Sequence, residues 1–323
     1  MTSVLSRLSE ASATPTLSAV DTERIQHALR STGLWIDLGS ATARISGRSK
    51  ALPAQLQSVY RHFPFQRDGV WADIHARVDE VGGWRQLVRQ QVFFSSDARV
   101  VFAPFPADSP LPLLEWGCNW LIGNRLNHLL LFHSGALERN GLTLLLPATP
   151  GSGKSTLSAA LSLRGWRLLS DEFGAFDPAA GHFRAILKPI ALKNESIDVI
   201  LRFEPQALIG PRFPKTRKGT VAHLAAQPDA VRRRTEPAQP GAIILPRWEA
   251  GSPTLLEPIL PHKAFAALAF NAFNYQLLGE VGFDATLRIV RRSPAWQLVY
   301  SDLDDAIRTI EGVWPSVVEN AHR

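Results

Sequence analysis

The chain has 323 residues, 45% of them apolar, and carries a formal charge of +6 with one cysteine, Cys118. This apolar content excludes wholesale disorder, and a lone thiol excludes both an internal disulfide framework and a thiolate metal cluster. The basic residues are dispersed apart from one stretch at 211–241, and the nine tryptophans are not interleaved with them, so a nucleic-acid surface is not expected.

Residues 1–30 are rich in Ser, Thr and Ala and are expected to form a flexible tail with one short helix at 22–30. No basic patch followed by an apolar run opens the chain, so a cytoplasmic location is expected. Residues 31–128 are expected to form an N-terminal subdomain of strands and helices. LWIDLGSATARISG reads as two strands about a Gly-Ser turn and 51–63 as a helix, while VWADIHARV and VRQQVFFSSDARVVFAPF alternate as antiparallel strands do. A core helix is expected at 111–131. Its apolar run is interrupted by Glu115, Asn119, Asn124, Arg125, Asn127 and His128, which argues against a membrane span.

Residues 129–317 are expected to be the α/β core. The central pattern is a strand at 142–146, a Gly-rich turn, a helix at 154–164 with Gly165 as its C-cap, a strand at 166–169 and then Asp171-Glu172. After Lys188 the chain reads as loop-rich as far as Gly241. The basic stretch from Arg212 to Arg234 is read there as a solvated loop, with a mobile arm over an anionic site as the alternative. A strand at 242–245 and helices at 264–278 and 303–313 close the chain. Phe265, Leu268, Phe270, Phe273 and Leu277 are expected to make the first of these helices mostly buried.

The Gly-rich turn carries the chemistry. Ala148-Thr149-Pro150-Gly151-Ser152-Gly153-Lys154-Ser155, followed by Thr156, matches a phosphate-binding loop with Ala148 in the first glycine position. Glycines at 151 and 153 allow successive backbone N–H groups to converge on phosphate oxygens, and the following helix N-terminus adds positive partial charge. Lys154 is placed to reach the β- and γ-phosphates of ATP, and the Ser155 hydroxyl to ligate Mg²⁺. Asp171 and Glu172 end the very next strand. At the carboxyl edge of a sheet beside the turn, one would help hold Mg²⁺ and the other accept a hydroxyl proton. Lys188 and Lys193 are candidates for phosphate contacts.

The run HSGALERNGLTLLLPATPGSGKSTLSAALSLRGWRLLSDEFGAF resembles the catalytic core of bacterial HPr kinase/phosphorylase. With LKPIALKNES it is most similar to the HPr-kinase-related proteins of type A, some of which accompany peptide-modification or secretion genes. The resemblance covers about residues 130–200. It implies a mixed sheet with flanking helices of the HPr kinase and phosphoenolpyruvate carboxykinase type, with His133 as an active-site histidine. Asp171 and Glu172 fall on the family's paired acids, with Glu172 a candidate to hold Mg²⁺ beside Ser155, and Glu195 falls near a further Mg²⁺-binding glutamate. Here the second acid is Glu rather than Asp, and the C-terminal segment tied to the phosphorylase reaction is not recognisable, so the reverse reaction is not expected.

The expectation is therefore an ATP- and Mg²⁺-dependent kinase acting on a hydroxyl, a serine of a protein or peptide, with no membrane span and possible homo-oligomers. A kinase of a small hydroxylated metabolite and a non-catalytic ATP-binding partner are the alternatives.

Overall fold

The protein, seen in a computed structural model, is described at residues 14–83, 90–149 and 151–321. The strands among the described residues form three sheets. The first, of six strands, comprises β1 (Leu34–Asp37), β2 (Thr42–Ser46), β3 (Ile74–Glu80), β4 (Gln91–Ser96) and β5 (Arg99–Val100) in that order, with β6 (Phe105–Pro106) also paired to β4. The two strands expected about the Gly-Ser turn are β1 and β2, and the helix expected at 51–63 is the shorter α2 (Leu52–Val59).

Residues 14–30 do not behave as a tail. A single helical turn at Leu17–Ala19 and α1 (Thr22–Arg30) press Leu17, Ile25, Ala28 and Leu29 into the core. The remainder of the expected tail lies outside the described residues. Ile25, Ala28 and Leu29 recur at helical spacing, so the segment docks by one apolar stripe despite its polar composition.

The helix expected at 111–131 is α3 (Pro110–Arg125) and stops six residues early. The side-chain amides of Asn124 and Asn127 donate to the carbonyls of Trp120 and Asn124, and the second of these satisfies an acceptor that the helix would otherwise use by continuing. The Leu-rich run that follows is a strand, β7 (Leu130–Arg139).

The central sheet has eight strands. β8 (Leu142–Pro147), every residue of which is buried, lies between antiparallel β7 and parallel β15 (Gln239–Trp248). That continuous burial is what a strand covered on both faces requires. On one side β15 is followed by parallel β17 (Ala295–Tyr300) and then β16 (Leu255–Pro258). On the other, β7 pairs with both β9 (Arg167–Ser170) and β10 (Phe173–Asp177), and β11 (His182–Arg184) completes the edge. The strands β9 and β10 flank the same antiparallel neighbour, so residues 171–172 interrupt what is nearly one long strand. The α/β class, with mixed sheets and flanking helices, is thus present.

The region expected to be loop-rich is ordered. It contains β12 (Ile190–Lys193), α5 (Glu195–Phe203), β13 (Phe213–Thr216), β14 (Gly219–Leu224) and α6 (Pro228–Arg232), with β12, β14 and β13 forming the third sheet. Its arginines are not an arm: Arg212 pairs with Asp198, Arg234 with Asp37, and Arg233 with Asp229, Glu236 and buried Glu138.

The helix expected at 264–278 is broken into α7 (Pro261–Phe270) and α8 (Tyr275–Leu278). Buried Asn274 accepts from the N–H of Leu131 and donates to the carbonyl of Leu129, an attachment to β7 that a continuous helix would not allow. Leu268 is buried as expected, but Phe270, Phe273 and Leu277 are exposed at 87%, 51% and 69%. Two further helices follow, α9 (Glu280–Arg292) and α10 (Leu303–Ala321). One apolar cluster runs from Leu17 to Val317, so the core continues across the boundary expected near residue 128 even though no sheet does. Among the described residues no helix is long and apolar enough to cross a membrane.

Candidate active site

The strands β8, β9, β15 and β17 run in the same direction, so their carboxyl ends share one edge of the central sheet. The Gly-rich turn leaves β8 at this edge and leads into α4 (Lys154–Leu163). Gly151 and Gly153 have φ of +89° and +86°, in the region where a side chain is strained. A Cβ on Gly153 would also stand 2.6 Å from the hydroxyl of Tyr300. Ala148 is buried and is not among the positive-φ residues, so the first position of this turn does not need glycine. Pro150 lies outside the described residues.

The turn is braced from below. The Trp248 N–H donates to the Ser152 carbonyl (3.0 Å), the Tyr300 hydroxyl donates to the Gly153 carbonyl (3.2 Å), and the Ser152 N–H donates to the Thr149 carbonyl (3.3 Å). Burial pushes the Tyr300 phenol above its ordinary pKa, so it remains a donor at neutral pH. No side chain caps the N-terminus of α4, where Gly153 stands as N-cap, and Ser155 and Thr156 occupy the first turn half-buried. The Ser152 hydroxyl is buried without a hydrogen-bond partner.

The acids lie on the far side of β7. The Ser170 hydroxyl accepts from the N–H groups of Glu172 (3.3 Å) and Phe173 (3.0 Å), fixing the interruption between β9 and β10. Lys154, 8% exposed, donates through its ammonium to the Asp171 carbonyl and lies 4.0 Å from Asp171 Oδ1. That carboxylate oxygen is buried and has no hydrogen-bond partner. Glu172 is more open. Burial works to raise its pKa, but Lys154, His133, Lys188 and Lys193 together outweigh it and hold the carboxyl below the ordinary range.

His133, on β7, is positioned by an N–H bond to the Asn271 carbonyl and by the edge-on ring of Phe273 at 5.5 Å. Its Nε2 is 3.6 Å from Glu172 Oε1. Burial and nearby Lys154 hold the imidazole below 6.5 despite the opposing carboxylates. It is therefore neutral near pH 7, and the contact is polar rather than an ion pair.

The sequence-predicted residues Ala148, Thr149, Gly151 to Thr156, His133, Asp171 and Glu172 thus meet at one edge. Glu195 does not join them in a metal cluster. It is the exposed first residue of α5, and no group of three or more His, Cys, Asp or Glu suited to a metal occurs among the described residues. Lys188 is not free to contact phosphate, because its ammonium donates to Glu115 Oε2 of α3 at 2.8 Å in a buried ion pair. Lys193 stands exposed at the end of β12, its pKa lowered by partial desolvation and by Lys218.

Sequence reasoning missed two supports, Tyr300 and the Trp248 backbone, and one whole wall. A cavity of about 90 Å³ is lined by Glu172 together with Glu115, Trp116 and Asn119 of α3, and His223 of β14. No local spacing pattern announces these residues, since they come from distant parts of the chain. No family model matches the chain, and no curated protein matches it significantly.

Proposed function

We propose that the chain is an ATP- and Mg²⁺-dependent kinase with an HPr-kinase-like core, transferring the γ-phosphoryl group to a hydroxyl, a serine of a protein or peptide. What carries this reading is the convergence at one sheet edge of an uncapped helix N-terminus, a buried lysine and a carboxylate pair.

The N–H groups of the turn other than that of Ser152, and those of the first turn of α4, suit phosphate oxygens, and the helix dipole favours their negative charge. The ammonium of Lys154 answers the charge on the β- and γ-phosphates. The residues present fit Mg²⁺, which keeps several waters and takes only one or two carboxylates besides phosphate. Ser155 and the unsatisfied Asp171 carboxylate would hold it, and when bound it neutralises phosphate charge.

Glu172 borders the cavity and is the carboxylate open to an acceptor, so it takes the base role. It receives the acceptor's hydroxyl proton as that oxygen bonds to the γ-phosphorus. The bond from phosphorus to the β–γ bridging oxygen breaks, and ADP leaves with the electron pair. A carboxylate held below its ordinary pKa is a weak base, which suffices because a loose phosphoryl-transfer transition state asks mainly for positioning and charge neutralisation. Neutral His133 leaves the Glu172 charge uncancelled.

The test is transfer from γ-labelled ATP with Mg²⁺ into a lysate of the protein's own host, resolved by polypeptide size and by thin-layer chromatography. Acid-stable label on a discrete polypeptide is expected, reduced at least about a hundredfold in Lys154→Ala with an unchanged circular-dichroism spectrum. Near-normal transfer by Lys154→Ala would remove the reading, and label in a small product would move the acceptor to a metabolite.

A further inference from the structure

The cavity beside Glu172 has a composition of its own. Its lining is largely apolar, with Phe105, Pro112, Trp116 and Val221 beside a few polar groups, and its rim is cationic. Inside, His223 is 2% exposed, and neither its Nδ1 nor the buried Oδ1 of Asn119 has a hydrogen-bond partner. Buried polar atoms are ordinarily satisfied, and these two, on residues that line the cavity, are exceptions. Burial holds the His223 imidazole down at about 4, so it is neutral near pH 7 and carries one donor and one acceptor nitrogen.

At the rim stand Lys193, Arg217 and Lys218, all exposed, and none forms an ion pair among the described residues. The guanidinium of Arg217 lies over the Trp116 ring, 5.8 Å from its centroid. Glu115 adds no net negative charge, being paired with Lys188. Three cations therefore face one carboxylate, Glu172. Elsewhere in the same stretch the arginines have acidic partners, as Arg212 has Asp198 and Arg233 has Asp229. A cluster left unpaired in a chain that pairs its neighbours favours an anion from outside.

Resting on the kinase reading, we propose that this cavity is the acceptor site and that it selects a hydroxyl carried close to a carboxylate. The hydroxyl is presented to Glu172, while the carboxylate lies between Lys193 and Lys218. A volume of about 90 Å³ is several times the roughly 10–15 Å³ that one water needs, so it admits a side chain or a small molecule and no folded surface. The shared chemistry has two sources: a serine beside Asp or Glu in a polypeptide, or a free hydroxy acid.

Two peptide pools decide the matter, each with one serine in otherwise randomised sequence, flanked by Asp/Glu in one and by Lys/Arg in the other, with free L-serine and L-malate as the small acids. Transfer from labelled ATP is measured alongside quenching of tryptophan fluorescence in the presence of Mg²⁺ and ADP, with Trp116→Phe locating the signal. Acidic acceptors are expected to be phosphorylated at least about tenfold faster than basic ones, as two modest rim charge pairs would give. The preference should vanish in Lys193→Gln/Lys218→Gln, with an unchanged circular-dichroism spectrum. Preference for the acidic pool assigns a polypeptide, and preference for the small acids assigns a metabolite. Equal use of both pools, or a preference that survives the double variant, overturns the proposal. If nothing is phosphorylated, binding still decides. Acidic ligands that quench Trp116 and lose affinity in the double variant uphold the anion site while the kinase reading fails, and absence of both binding and transfer overturns the site.

Discussion

Two buried lysine–carboxylate pairs flank the acid turn, and they are built differently. The Lys188–Glu115 pair is closed: its ions are 2.8 Å apart, Glu115 Oε1 also accepts from the Tyr60 hydroxyl at 2.6 Å, and both ends are buried. Burial works against both charges, yet Lys188 with His223 and Tyr60 outweighs it for Glu115, and Glu115 with Cys118 and Glu172 outweighs it for Lys188, so the lysine is shifted up and the glutamate down. The Lys154–Asp171 pair is open: its ions are 4.0 Å apart, and Asp171 Oδ1 has no partner. A satisfied network fixes one arrangement, whereas an unsatisfied one in an equally dry place keeps its capacity for something else. The closed pair joins α3 to the start of β12 and holds the cavity wall. The open pair stands where the proposed phosphoryl transfer would need charge.

The largest effect on stability is expected from opening the closed pair. Glu115→Ala strands a buried ammonium and an unpaired phenol, and should cost about 3–5 kcal/mol, read as a shift in denaturant midpoint. Glu115→Ala combined with Lys188→Met should cost markedly less than the sum of the two single changes, because the second removes the charge the first strands. Additive losses would mean that the pair is not the unit described here.

Next in size is a pH effect on the same wall. His223 titrates at about 4 in the folded protein against about 6.5 when unfolded. Its burial dominates that shift, Lys188 and Lys193 push it further down, and Glu115 opposes them. Between these values the unfolded chain binds the extra proton, so stability is complete above about pH 6.5 and falls as pH drops toward 4. The loss from this residue is about 3 kcal/mol over the window. His62 and His133, also shifted down, act with the same sign. The measurement is therefore the difference between the parent protein and His223→Gln, whose stability should be flatter across that window. Parallel profiles would place His223 outside the sealed wall.

This contrast also marks what the sequence made legible. The Gly-rich turn, the helix after it and the acids could be read because phosphate binding demands particular residue types at short, fixed spacings, all within residues 142–172. The closed pair could not, since Glu115 and Lys188 are 73 residues apart and look like an ordinary core-helix glutamate and a loop lysine. Asn274, which breaks the C-terminal helix by bonding to residues 143 and 145 positions away, was hidden for the same reason. The basic stretch misled differently. Its charge density suggested a loop, while the partners that tie it down, Asp37, Glu138 and Asp198, lie outside the stretch. Local chemistry survives translation into a linear pattern, and pairing across elements does not.

The smallest stability effect belongs to the open pair, and it is the sharpest test of the comparison. Asp171→Asn keeps the size and the backbone carbonyl that Lys154 uses, and removes a charge whose Oδ1 gains no hydrogen bond. The ammonium loses an attraction across 4.0 Å but keeps that of Glu172, which is close enough for its own pKa to be lowered by Lys154. The buried carboxylate's desolvation cost disappears at the same time. These contributions oppose one another, so stability should fall by clearly less than the about 3–5 kcal/mol of a broken close pair. The proposed phosphoryl transfer should nevertheless fall at least about a hundredfold, with a higher Mg²⁺ requirement. A loss of stability as large as that of Glu115→Ala would show both pairs to be scaffold and would withdraw the distinction on which the site assignment rests.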